Sequence, residues 1–125
     1  MFINSKERKG SGYIEIQNCI KKPTKGFFSK RTKFNNISHF KDTSLLISAD
    51  DIDEFFEIYM EYFEPNTVPN KDTIFCFYGL NYYSKEQTEE ILRKISKNKP
   101  KHSEVLVKWL EDCVKKYSGF YILGI

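Results

Sequence analysis

Alanine is almost missing from this 125-residue chain, with Ala49 the only one, and three arginines stand against seventeen lysines. That usage, rich in Lys, Ile and Asn, is typical of an AT-rich coding sequence such as those of low-GC bacteria and their phages. Cysteine is sparse too: Cys19, Cys76 and Cys113 are odd in number and far apart, so neither a disulfide framework nor a C-x-x-C metal or redox pair is written here. Only His39 and His102 supply imidazole, at no metal-ligand spacing, so no metal and no cofactor are expected. No apolar run approaches the roughly 18 residues of a membrane span. The charges near the N-terminus follow too short an apolar start for a secretory signal. A cytoplasmic protein without a membrane partner is the expectation.

Catalytic signatures are equally thin. There is no G-x-S-x-G elbow, and Gly10-Ser-Gly12 precedes a strand pattern instead of following one, the wrong context for a phosphate-binding loop. No catalytic residue is assigned, and a non-enzyme is expected.

Two things are abundant: rings and segregated charge. Eleven Phe and eight Tyr imply an aromatic core. Residues 1–41 carry ten Lys or Arg and two acids, whereas residues 50–64 carry seven acids and no base. Blocks of this kind generate local fields that steer association even though the net charge is only +3.

Taken in order, residues 1–12 are polar and read as a flexible start or turn. From Tyr13 to Ile20 the pattern alternates, with Ile14, Ile16 and Ile20 inward and Glu15 and Gln17 outward. Residues 24–41 interleave Phe27, Phe28, Phe34 and Phe40 with lysines; a second strand at 26–29 would pair back on the first. A strand at 43–48 meets a capping signature in which Ser48 or Asp50 serves as the cap. Ile52, Phe55, Phe56, Tyr59 and Phe63 then lie on one helical face, which Pro65 should end. Residues 74–78 form an unbroken apolar run, read as a buried central strand, and 79–83 as an aromatic turn. Ser84-Lys-Glu-Gln87 is a capping box opening a helix with Thr88, Ile91, Leu92 and Ile95 inward. A last helix from Ser103 buries Leu106, Trp109, Leu110, Cys113 and Tyr117, with Gly119 as its C-cap and a terminal strand after it.

The fold class expected is α/β, with α+β the alternative: a single domain over residues 1–125, built as a mixed sheet of four to five strands with three helices packed on it. The strand–helix–strand passage at 43–78 predicts a parallel crossover.

Without motif chemistry, function falls to a surface. The expectation is a small cytoplasmic protein-binding module, in its most concrete form a bacterial immunity protein or antitoxin-like inhibitor that neutralises a toxin by stoichiometric binding. The partner is then another protein, such as a cytotoxic effector or nuclease domain. Asp50, Asp53, Glu54, Glu57 and Glu61 would offer it a nucleic-acid-like row of charge, and Tyr62 and Tyr82 would anchor it. Two other readings compete. One is a nucleic-acid-binding or regulatory protein using basic residues 21–41; the other is a small enzyme with a site near residues 79–84.

Overall fold

The last strand of the chain lies inside the sheet, not at its edge. In the computed structural model, which describes residues 1–19, 24–25, 32–33, 39–63 and 80–124, five strands pair in the order β1-β5-β2-β7-β6. Their ranges are Phe2–Asn4 (β1), Tyr13–Asn18 (β2), Leu45–Ser48 (β5), Leu80–Ser84 (β6) and Gly119–Leu123 (β7). Two-residue strands Thr24–Lys25 (β3) and Thr32–Lys33 (β4) form a separate ribbon. The helices are Ile52–Phe63 (α1), Lys85–Asn98 (α2) and Ser103–Lys116 (α3). An α/β fold of one five-stranded sheet and three helices is therefore present.

Every ladder among the described residues is antiparallel. The strand entering α1 (β5) and the next described strand (β6) run in opposite directions, three places apart in the sheet. The parallel crossover was expected to end on residues 74–78; that strand, and Cys76 within it, lie outside the described residues, as does the expected strand at 26–29. Residues 80–84 correct the aromatic turn: they are a strand paired residue by residue with β7, Tyr82 opposite Tyr121 and Tyr83 opposite Phe120. Tyr82 and Tyr83 favour β structure and are buried with Asn81, but Asn81 and the preceding Gly79 disguised the strand as a turn. The polar start is corrected too. Phe2–Asn4 pairs with β5, and Phe2 packs edge-on against Phe55 and Tyr59. Two apolar residues are too few for periodicity to reveal a strand.

Local chemistry explains the helix starts. Ser84 and Gln87 exchange their side-chain and amide hydrogen bonds at 3.1 and 2.8 Å, the expected capping box. Ser48 Oγ accepts from the Asp50 amide at 3.2 Å and opens a 3₁₀ turn that runs into α1, so Ser48 is the cap and Asp50 is not. Gly119 is not the C-cap of α3, a place taken by Tyr117. It opens β7 at φ +126°, where a Cβ would fall onto the Tyr83 carbonyl. Only glycine allows that approach.

All three helices pack on one face of the sheet. Phe2, Ile14, Ile16, Leu45, Ile47, Tyr83, Phe120 and Ile122 form its floor. Over it α1 lays Phe55, Tyr59 and Phe63, all fully buried, while α2 adds Ile91 and Ile95 and α3 adds Leu106, Leu110 and Cys113. A relay of rings ties the layers together. Phe55 stacks with Tyr59 and Phe63, Phe63 meets Tyr83 and Phe120 edge-on, and Tyr83 stacks on Phe120 at 4.7 Å. Trp109 closes the relay edge-on against Phe120.

Phe63 touches three elements at once, so Phe63→Ala should cost about 3–5 kcal/mol in urea unfolding, the range for removing a buried ring. Burial also pushes the Tyr59 hydroxyl up to about 12, helped by Tyr62, and the Tyr82 hydroxyl up to about 12, helped by Cys19, Glu86 and Cys113. The buried Cys113 thiol rises to about 12 as well. These groups hold their protons more tightly folded than unfolded, where ionisation begins near 9.0 for the thiol and 10.0 for the phenols. Their contribution is therefore complete below about pH 9 and is lost as pH climbs towards 12. Circular dichroism followed with tyrosinate absorbance should show unfolding and buried-phenol ionisation together in that window. Ionisation of Tyr59 and Tyr82 near 10 without unfolding, identified by the absorbance lost in the Tyr59→Phe and Tyr82→Phe variants, would contradict it.

Candidate functional site

Helix α1 has two contrasting faces because its sequence alternates rings and acids at helical spacing. With Phe55, Tyr59 and Phe63 inward, Asp53, Glu57 and Glu61 fall at i, i+4 and i+8 on the outside, and all three are exposed. Asp50, in the turn before the helix, is exposed as well. Among the described residues none of these four carboxylates takes part in an ion pair. The row spans about 12 Å along the axis at 1.5 Å per residue. Like charges four apart weaken a helix by about 0.2–0.5 kcal/mol per pair. Asp53 is partly compensated by the positive end of the helix dipole, whereas Glu57 and Glu61 lie too far along to benefit. The ring face offsets that penalty.

Glu54 differs from its neighbours. Its carboxylate lies 3.6 Å from Lys101 Nζ and 3.3 Å from His102 Nε2, in the connection between α2 and α3. Such half-exposed pairs add little stability, but they set orientation. On the same flank the Tyr59 hydroxyl donates to the Lys101 carbonyl at 2.5 Å, and Asn98 Nδ2 donates to the Tyr62 hydroxyl at 3.1 Å. One edge of α1 is thus tied to the helical hairpin, leaving Asp53, Glu57 and Glu61 to face outward.

Tyr62 and Tyr82 do not serve as exposed anchors. They are 4% and 7% exposed, and the Tyr82 hydroxyl donates to the Ser118 carbonyl at 3.2 Å. Tyr62 falls where α1 meets the hairpin, and Tyr82 lies in a strand, on the sheet face away from the helices, against Tyr121. The apolar groups that do flank the acid row are Phe56 and Met60, both half-buried on α1. Helical spacing contained that signal, since 53, 56, 57, 60 and 61 share one stripe.

No protein-family model, curated protein or solved structure matches this chain.

The sequence pattern missed one polar cluster. Glu15 was expected on an outer face, yet it is 1% exposed. Its carboxylate accepts from the Phe40 and Lys41 amides at 2.7 and 3.1 Å, from Ser44 Oγ at 2.5 Å and from Gln17 Nε2 at 3.1 Å. Consecutive amides converge on the carboxylate as they do in an anion-binding nest, with Phe40 at φ 61°. Trp109 Nε1 donates to the Thr43 carbonyl, and Thr43 Oγ1 donates to Asn18, fixing the same loop. Alternation shows which residues share a face, not what covers it. His39 Nδ1 stands 3.9 Å from Glu15 with its side chain 71% exposed, a loose contact.

Among the described residues no group of three or more His, Cys, Asp or Glu is placed to hold a metal ion, and no helix is long and apolar enough to cross a membrane. Most of the basic stretch 21–41 lies outside the described residues.

Glu15→Gln replaces one acceptor oxygen with an amide that faces N–H groups. A loss of about 1–3 kcal/mol is expected in urea unfolding, the scale of an unsatisfied buried donor. An unchanged midpoint would mean that the clamp on residues 39–44 contributes nothing.

Proposed function

We propose that this chain is a cytoplasmic protein-binding module that works by stoichiometric occlusion, as bacterial immunity proteins do, with the outer face of α1 as its working surface. The observation that carries this reading is the row Asp50, Asp53, Glu57 and Glu61, exposed and without an ion-pairing partner among the described residues, on a helix whose other side is fixed in the core. Surfaces of this kind fit a partner of opposite charge, such as the phosphate-binding cleft of a nuclease-type effector. Charge complementarity accelerates encounter, and apolar contacts slow release. In this reading Phe56 and Met60 supply the contacts beside the acids, in place of Tyr62 and Tyr82. Glu54 has a positioning part, holding α1 against the hairpin.

The decisive variant is Glu57→Lys with Glu61→Lys. Both positions are solvent-facing, so the fold should be unchanged by circular dichroism and thermal melting. Binding to the partner captured from the native organism, measured by calorimetry with purified proteins, should weaken by about 100-fold or more, the scale of reversing a complementary charge patch. Wild-type association should also slow as salt rises. Equal affinity in the double variant would remove α1 from the interface.

A further inference from the structure

We infer that residues 39–44 form an acid-released strap: a proton on Glu15 frees them from the sheet while the helices stay folded. Glu15 is the only carboxylate buried among the described residues. The other acids held in ion pairs, Glu54, Glu90 and Asp112, are half-exposed, and such pairs add little stability. Acid therefore removes one buried acceptor and hardly touches the rest. That acceptor is fully engaged. Oε1 of Glu15 accepts from the Phe40 amide at 2.7 Å. Oε2 accepts from the Lys41 amide and Gln17 Nε2, both at 3.1 Å, and from Ser44 Oγ at 2.5 Å. A proton placed on either oxygen meets a backbone N–H, so donor faces donor. Only the Ser44 hydroxyl can turn round to accept.

Release stays local because the strap is attached by polar contacts. Its one apolar side chain is Phe40, half-buried against Arg8 and Tyr13. The remaining ties run from Trp109 Nε1 to the Thr43 carbonyl at 2.7 Å and from Thr43 Oγ1 to Asn18 at 2.9 Å. The core beneath the helices is apolar and aromatic, and acid leaves it unchanged. A segment with few apolar contacts opens at a lower free energy than the whole molecule. Among the described residues, His39 is the titratable side chain within ion-pair reach of Glu15. Its positive charge favours the carboxylate and opposes release, but only weakly at 3.9 Å with the imidazole 71% exposed. Lys41 and Asp42 belong to the strap itself, and Arg8 lies over the Phe40 ring. Strands β5 and β7 set Leu46 and Leu123 opposite Glu15, neither of them charged. The other titratable groups on that sheet face, Tyr13, Cys19, Tyr82 and Tyr121, are phenols and a thiol, which are neutral in acid.

Trp109 is the single tryptophan of the chain, so its indole N–H reports on the strap without interference. The ¹⁵N-labelled protein is taken from about pH 7 to about pH 3, across the carboxylate range. The Phe40 and Lys41 amides and the Trp109 indole should shift together in one step. Exchange at those amides, referred to the intrinsic rate at each pH, should rise about ten-fold or more, the scale of an unsatisfied buried donor. Far-UV circular dichroism should keep its helical signal throughout that step. Glu15→Gln should show the released signals already at neutral pH, with no step on acidification, and His39→Gln should titrate as the wild type does. Strap signals that change only when the helical signal is lost would overturn the inference, as would the absence of any step. So would a step that survives in Glu15→Gln, or one that disappears in His39→Gln. If Glu15→Gln does not fold, the wild-type comparison of strap and helix signals still decides. The face of α1 takes no part in these readouts, so either proposal can fail without the other.

Discussion

Burial of the α1 rings against the sheet is the contact on which the remainder of the molecule depends. Phe55, Tyr59 and Phe63 reach β1, β6 and β7 through neighbouring rings, so one helix joins the first strand of the sheet to the last. Each ring removes a large apolar area from water, and edge-on or offset contacts add a further increment. The same burial decides where the acids go. A helix of 3.6 residues per turn that commits 55, 59 and 63 to the core has no choice but to display 53, 57 and 61. Surface charge here is a geometrical consequence of core packing. That is why the outer face can vary in chemistry without disturbing the fold.

The two sides of the sheet are held by different forces. Towards the helices the interior is a continuous apolar and aromatic layer. The opposite side combines Tyr82, Tyr121, Leu123 and Cys19 with a buried carboxylate, Glu15, and its donors from residues 39–44. Hydrophobic contact is tolerant of small shifts, whereas the carboxylate requires each donor in place. The loop over Glu15 is consequently specified by direction and distance, and Trp109 and Asn18 hold its far end.

Much of this architecture was legible in the residues. The period of α1, the capping box at Ser84 and the buried face of α3 are local signals, and each was present at its own position. Strand direction was not legible, because antiparallel and parallel neighbours show similar apolar runs when both faces are covered. Residues 80–84 were hidden by Asn81 and the preceding glycine, and β1 by its brevity. For the acid row, position and exposure followed from helical spacing. The loss of Tyr62 to the α2–α3 hairpin did not, since nothing local to Tyr62 announces Asn98. Glu15 shows the same limit: apart from Gln17, its donors lie 25 to 29 residues away.

Strand β7 is flanked by β2 and β6, and it pairs Glu15 with Leu123 and Asn18 with Phe120 across about a hundred residues. A chain emerging from the ribosome therefore carries, among the described strands, the set β1-β5-β2 and a separate β6 until residues 119–123 arrive to join them. The β2–β7 and β6–β7 ladders must wait until residues 119–123 are made, and until then the nascent protein travels with an open β2 edge that invites mispairing or chaperone capture.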